Sequence, residues 1–193
     1  MHRRWYGRGG PLRVPPLSRV YDIRLANLSE AARCEAVEIA AATRFAEIGM
    51  EELIAITEGD PYMRGHAAKH VESGNLFVAV EEPSGRVAGF AAFWPFDGLG
   101  HLCELDVHPD HAGQGLGRRL IAAGEDWARR EAYPALTLST FTDVPWNGPF
   151  YARLGFAPYP RSEWGSEHHA VWQNQLDSAL DCTRRHIMIK RLA

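Results

Sequence analysis

Two periodicities alternate along this chain: apolar runs of strand length, and stretches where apolar residues return every three or four positions. Val20 to Leu25 predicts a first strand. Asn27 or Ser29 is placed to cap a helix whose inner face would carry Leu28, Ala32, Ala36, Ile39 and Thr43. A second helical piece spans about Met50 to Thr57, and a third opens at Pro61 and closes at Gly74. Arg44 to Gly49 reads either as an interhelical turn or as a mobile segment over a site. Asn75 to Glu81 and Arg86 to Phe96 are strands, and Pro83, Ser84 and Gly85 between them make a hairpin. His101 to Val107 predicts the next strand.

After that strand Gly113, Gly115 and Gly117 alternate with other residues, and a helix begins at once. Leu116, Leu120, Ile121, Gly124 and Trp127 share one face of it, with Arg118, Arg119, Glu125, Arg129 and Arg130 on others. Ala135 to Phe141 is a fifth strand, Asn147 caps a short helix that Gly155 ends, and Phe156 to Tyr159 begins a sixth strand. Ser162 is placed to cap a helix reaching about Asp177, with Trp164, Ala170, Val171 and Leu176 inward. Arg185 to Leu192 predicts an edge strand. Hairpins combined with one parallel crossover predict an α/β (α+β mixed) fold, with a mixed sheet and helices on both faces.

The turn from strand through glycines to helix is the chemically informative stretch. The first N–H groups of a helix lack internal partners, and the helix dipole adds about half a positive charge there. Glycines let a phosphate approach those groups and permit positive φ. A plain structural turn is the alternative.

Composition narrows the classes. The chain has 193 residues, enough for one domain, with 46% hydrophobic and 23% charged residues. No apolar run has membrane length, so no membrane partner is expected. Arginines near Met1 are not followed by an apolar stretch, which argues against a secretory signal. Cys34, Cys103 and Cys182 are scattered and odd in number, which fits a reducing compartment, by default the cytoplasm. The net charge of −3 is uneven: residues 1–20 hold five arginines and no acid, leaving 16 basic against 24 acidic residues elsewhere. Residues 1–18, rich in Gly, Pro and Arg, read as a disordered basic leader, and residues 19–193 as a single domain. The acidic body argues against nucleic acid as a partner, although the leader alone is basic enough to touch it.

Other constellations carry less. His66 and His70 stand four apart without H-E-x-x-H or a third ligand, so they read as helix surface and no metal is expected; His168 and His169 read as exposed. There is no G-x-S-x-G, and Gly113-x-Gly115-x-Gly117 is not the dinucleotide pattern. Trp94 and Phe96 read as core aromatics, whereas Trp146 beside Asn147 is placed to line a pocket.

The run Glu104-Leu-Asp-Val-His-Pro-Asp-His-Ala-Gly-Gln-Gly-Leu-Gly-Arg-Arg-Leu-Ile, followed by Asn147-Gly-Pro-Phe-Tyr-Ala-Arg-Leu-Gly-Phe156, resembles the GNAT superfamily of N-acetyltransferases. The first run is similar to the family's acetyl-CoA motif, a strand ending in Leu-x-Val and then Arg/Gln-x-x-Gly-x-Gly/Ala opening a helix. The second is similar to its Asn…Phe-Tyr-x-x-x-Gly-Phe segment, and the order of elements matches from residue 20 to about 160. The resemblance implies a GNAT-like, mostly antiparallel sheet of six to seven strands with a central bulged, splayed strand. It implies acetyl-CoA as cosubstrate and a monomer or homodimer. Backbone groups of Leu105 and Val107 would pair with the pantetheine arm, Gln114, Gly115, Leu116, Gly117 and Arg118 would cradle the pyrophosphate, and Asn147 would contact the cofactor. Tyr151 would protonate the departing thiolate. The motif's leading Arg or Gln falls on Ala112 here, so the phosphate grip would be mostly backbone.

The reaction so implied is acetylation of a primary amine, on a small molecule or a peptide, by direct attack in a ternary complex. An alkyl ammonium near pKa 10.4 must first lose a proton, which at pH 7 costs about 4.6 kcal/mol. Glu104 and His101 are the candidate bases, with Glu47 and Asp143 on flanking loops behind them. Strict alternation puts Glu104 and Asp106 opposite Leu105 and Val107, and His101 and Cys103 on their side, unless a bulge intervenes. The competing reading is a non-catalytic acyl-CoA-binding module.

Overall fold

The computed structural model describes residues 19–177 and 184–193; the basic leader expected over 1–18, and Cys182, lie outside the described residues. Strand β1 (Val20–Leu25) is followed by three helices, α1 (Ala31–Ala42), α2 (Glu51–Gly59) and α3 (Tyr62–Glu72). Then come β2 (Leu76–Glu82), β3 (Arg86–Phe96) and β4 (Leu99–Val107), a meander of antiparallel pairs that also takes in β1. Helix α4 (Leu116–Arg130) crosses to β5 (Ala135–Phe141), which pairs in parallel with β4. The chain continues through α5 (Gly148–Arg153), β6 (Ala157–Pro158), α6 (Ser166–Leu176) and β7 (Arg185–Arg191). The sheet order is β1-β2-β3-β4-β5-β7-β6.

Two features of β4 shape everything near it. Ala92 of β3 pairs with Glu104 but its neighbour Phe93 pairs with Leu102, so Cys103 is an extra, bulged residue. In addition, β4 pairs with β5 only from Gly100 to Leu102, and the two strands part beyond that point. The bulge resets the side-chain alternation. Leu102 therefore shares a face with Leu105 and Val107, toward α4, while His101 joins Glu104 and Asp106 on the other side. That corrects the expectation that His101 and Cys103 accompany Leu105.

Each face of the sheet has its own core. On one, Leu116, Leu120, Ile121 and Trp127 of α4 pack on Phe93, Leu102, Leu136 and Leu138; on the other, Cys34 and Val37 of α1 and Met63 and Ala67 of α3 pack on Val78, Val80 and Phe90. Full burial of each such Phe or Leu contributes about 1.5–3 kcal/mol. α4 sits close because Gly124 offers only a hydrogen where a Cβ would overlap the buried Phe93 ring.

Several boundaries differ from those the periodicity predicts. Asn27 caps not a long helix but a 3-10 turn, Leu28–Glu30, in a capping box with Glu30, and α1 starts after it. This rotates α1 so that Cys34, Val37, Glu38 and Ala42 face inward, while Leu28 is 57% exposed. Glu38 is buried because its two oxygens accept the Tyr62 and Met63 amides, at 2.7 and 3.1 Å, and so cap α3. Arg44–Gly49 falls within and just after a 3-10 turn, Thr43–Ile48, that ends at left-handed Gly49.

β7 is not an edge strand: it lies between β5 and β6, with Ile187, Met188 and Ile189 buried, and the two-residue β6 with Pro158 takes the edge. α6 begins at Ser166 rather than near Ser162, capped by Asp97, whose carboxylate accepts the Glu167 and His168 amides. His168 is therefore fully buried instead of exposed, and Leu176 is exposed instead of inward. His70 is likewise core, bonded to Tyr62 Oη, Asn75 and the Phe93 carbonyl.

Gly124→Ala should destabilise the fold by about 1–3 kcal/mol through overpacking on Phe93, read as a lower urea midpoint at unchanged slope.

Candidate active site

Where β4 and β5 part, the sheet opens into a cavity of about 760 Å³. Its lining runs from the glycine loop and first turn of α4, past Leu105 and Val107, to the 3-10 turn after α1 and the start of α3. At one end Gly113 and Gly115 adopt φ of +75° and +71°, a region that penalises side chains with a Cβ. Gly115 has no side chain to cap α4, so the amides of the first turn stay open to an anion, and Arg118 lines the wall beside them. Gly117 lets Phe150 approach, since a Cβ there would lie 3.3 Å from its ring. Gln114, between Gly113 and Gly115, is exposed and is not one of the lining residues.

α5 brings the second motif to the same cavity. A Cβ at Gly148 would lie 2.7 Å from the Thr142 carbonyl oxygen and 2.8 Å from that of Phe141, so only glycine lets this helix start against the end of β5. Asn147 precedes it with unusual angles (φ −115°, ψ −110°), makes no side-chain capping bond, and lines the cavity. Tyr151 follows one turn later, buried with its ring edge-on to Phe150 and Phe156. Burial, then the nearby Glu104 and Asp106 carboxylates, push its phenol well above the usual range, so it keeps its proton.

The far end is acidic. Glu104, Asp106 and Glu38 all line it, and Asp106 Oδ2 is enclosed without a hydrogen-bond partner among the described residues. Burial first, and the Glu38 carboxylate second, push Glu104 up to about 7; its contact with the Leu105 amide at 3.3 Å and the Arg185 charge oppose this. Asp106 is raised well above its ordinary value by burial and by Glu104 and Glu38. Like charges at this spacing cannot all ionise together near neutrality. Arg44 stacks on Trp146 at 4.1 Å and Arg185 on Phe141 at 4.6 Å, so cationic side chains share this end.

Of the candidate bases, the structure brings Glu104 to the cavity and leaves the others away from it. His101 is buried outside the lining, its Nδ1 2.8 Å from Thr137 Oγ1, which lies 2.9 Å from His168 Nε2; His168 Nδ1 in turn donates to Asp97 at 2.6 Å. Burial pushes the His101 imidazole down to about 3, so this chain of polar groups ties α6 to the sheet. Asp143 pairs with Arg184 at 2.9 Å and Glu47 is exposed. Asp106 and Glu38 escaped sequence reasoning because alternation, which set Asp106 opposite Leu105 and Val107, does not reveal that the cavity reaches both sides of β4, and because a helix-capping Glu38 carries no motif. Trp146 does line the pocket.

With the geometry in place, the chain can be set beside known proteins. A model of the acetyltransferase (GNAT) family matches residues 37–156. An L-amino acid N-acyltransferase, MnaT, of Escherichia coli strain K12 is 49% identical over 57 residues, 27% of this chain and 33% of that protein, so this chain matches only about a third of that relative's length. An acetyltransferase of GNAT family from Staphylococcus aureus Mu50 superposes with a TM-score of 0.68 at 14% identity, covering 90% of this chain and 100% of that one. N-acetylglutamate synthase from Neisseria gonorrhoeae, complexed with coenzyme A and N-acetyl-glutamate, gives 0.66 at 22% identity over 90% of this chain and 35% of that one. At such identities the superpositions speak for the fold, and the family match, over more than half of the chain, speaks for the lineage. The chain belongs to the acetyltransferase (GNAT) family.

Proposed function

We propose that this protein is an acetyl-CoA-dependent N-acetyltransferase that acts on a primary amine through direct attack in a ternary complex. The observation that carries the reading is one continuous cavity with an anion-binding loop at one end, carboxylates at the other, and the Tyr151 phenol among its walls. The residues present fit the cosubstrate: open amides and Arg118 suit its phosphates, and the splay frees one edge of β4 at Leu105 and Val107 to take the pantetheine arm like an added strand. Acetyl-CoA supplies an activated acyl group.

The rest of the chemistry falls to this chain's side chains. Glu104 takes a proton from the acceptor's ammonium, and a carboxylate raised toward neutrality is matched to that role. The freed nitrogen forms the new C–N bond as the C–S bond breaks, and Tyr151 gives its proton to the departing sulfur. Asn147 orients the cosubstrate. The acidic end favours a cationic amine, and Arg44 and Arg185 beside it also suit one that carries a carboxylate; the amino-acid acyltransferase from Escherichia coli makes that class the first to try. A silent acyl-CoA-binding module would need neither the phenol nor the buried acids.

Tyr151→Phe should lower kcat by roughly 10² or more while the calorimetric Kd for coenzyme A stays put. Undiminished turnover would remove the phenol from the mechanism. Burial raises the folded pKa of Glu104 to about 7, so the base is ionised and active above that pH and protonated below it. Accordingly kcat/KM should climb with pH and level off above about 7, a limb that Glu104→Gln abolishes. Because the raised pKa disfavours the charged form in the fold, Glu104→Gln should also stabilise the protein at pH 8, by on the order of 1–3 kcal/mol, and leave it unchanged at pH 4, as read by urea unfolding.

A further inference from the structure

His111 ends the 3-10 turn Pro109–His111 that leads from β4 into the glycine loop, and its side chain is only 3% exposed. Its Nδ1 lies 2.9 Å from Arg19 Nη1 and 2.9 Å from Tyr21 Oη. A guanidinium can only donate, so Nδ1 must be a bare acceptor and the ring proton must sit on Nε2. Tyr21 then donates as well, and two donors converging on one nitrogen fix both tautomer and ring orientation. Tyr21 also meets the ring edge-on at 5.7 Å.

The Nε2–H therefore has a fixed direction, and that direction matters. It finds no partner among the described residues, yet it is not among the enclosed unpartnered atoms, which there are Asp106 Oδ2 and His186 Nε2. His111 lines the cavity together with Ala112, Gly113 and Gly115, at the glycine-loop end. An open N–H donor on an almost wholly buried residue of this cavity's wall calls for an acceptor. Ala112 next to it has no polar side chain to offer where the motif carries Arg or Gln.

We propose that His111 is a cosubstrate-binding residue whose Nε2–H donates to a phosphate oxygen of the acyl-CoA, the side-chain bond that Ala112 is unable to make. This rests on the acyl-CoA reading above. Groups facing the ring from neighbouring elements are Tyr21, Arg19, Glu81 at 4.0 Å and His108. Burial, helped by the Arg19 charge and opposed by Glu81, holds the imidazole below its ordinary value. A neutral ring of fixed tautomer thus donates one bond and adds no charge.

The test compares full-length wild type with His111→Phe, which keeps an aromatic ring and loses the donor, and His111→Gln, which restores an N–H. Calorimetry with coenzyme A should show about a tenfold weaker Kd for the Phe variant, equivalent to about 1.4 kcal/mol, and partial recovery for Gln. Pantetheine, which lacks every phosphate, should bind wild type and the Phe variant alike. In parallel, the ¹⁵N-resolved Nε2–H resonance of His111 in wild type should shift on adding coenzyme A and not on adding pantetheine, a readout independent of how the variants fold. An unchanged Kd, an equal penalty with pantetheine, or an unmoved resonance in wild type that binds coenzyme A would overturn the role of His111. Wild type that binds no coenzyme A at all would overturn the acyl-CoA reading together with it.

Discussion

The one extra residue in β4 governs this structure. Without Cys103 bulged out, strict alternation from Leu102 would carry Leu105 and Val107 to the wrong face, and α4 would lose the apolar surface on which it packs. With it, Leu102, Leu105 and Val107 all serve the α4 core, while Glu104 and Asp106 turn together toward α1 and α3. The bulge coincides with the point where β4 leaves β5, so the strand that re-aims its side chains also opens the sheet. Cavity, free strand edge and buried acids share one local cause.

The same geometry sets a tension between stability and chemistry. Three carboxylates face a common space, one of them with an oxygen that has no partner. Burying charge without pairing is unfavourable, and the raised values of Glu104 and Asp106 are the way that cost is expressed. Glu38 holds its place because it caps α3, a structural bond that brings its charge to the site. In the proposed mechanism this strain has a use: an acid poised near neutrality takes up a proton and gives it back. The glycine-loop end, as proposed, solves the opposite problem, meeting phosphate with the open amides of α4, the Arg118 side chain and the neutral imidazole of His111.

Much of the fold was legible in the sequence because its signals are local. Apolar runs, the Pro83-Ser84-Gly85 turn and the glycines ahead of Leu116 each act within a few residues, and the strands and α4 fall close to where those signals put them. What escaped depends on distant partners. The bulge exists only in the pairing of Ala92 and Phe93 with β4, so the side taken by His101 could not be read from β4 alone. Burial of His168 needs Asp97, some seventy residues earlier, to cap α6. β7 enters the sheet interior by pairing with β5 along one edge and with β6 along the other, long-range pairings that its own residues do not announce. In the candidate site, the Tyr151 and Glu104 positions were readable from motif and residue type, whereas His111 became informative only once Arg19 and Tyr21 fixed its proton.

In the proposed function, the cavity transfers an acetyl group to an amine and does more than hold a thioester. Release of free thiol from acetyl-CoA across a panel of amino acids, polyamines and short peptides, with products read by mass spectrometry, tests it most directly. The expected result is amine-dependent thiol release matched mole for mole by an N-acetylated product. Tight coenzyme A binding with no amine-dependent release from any class would contradict it.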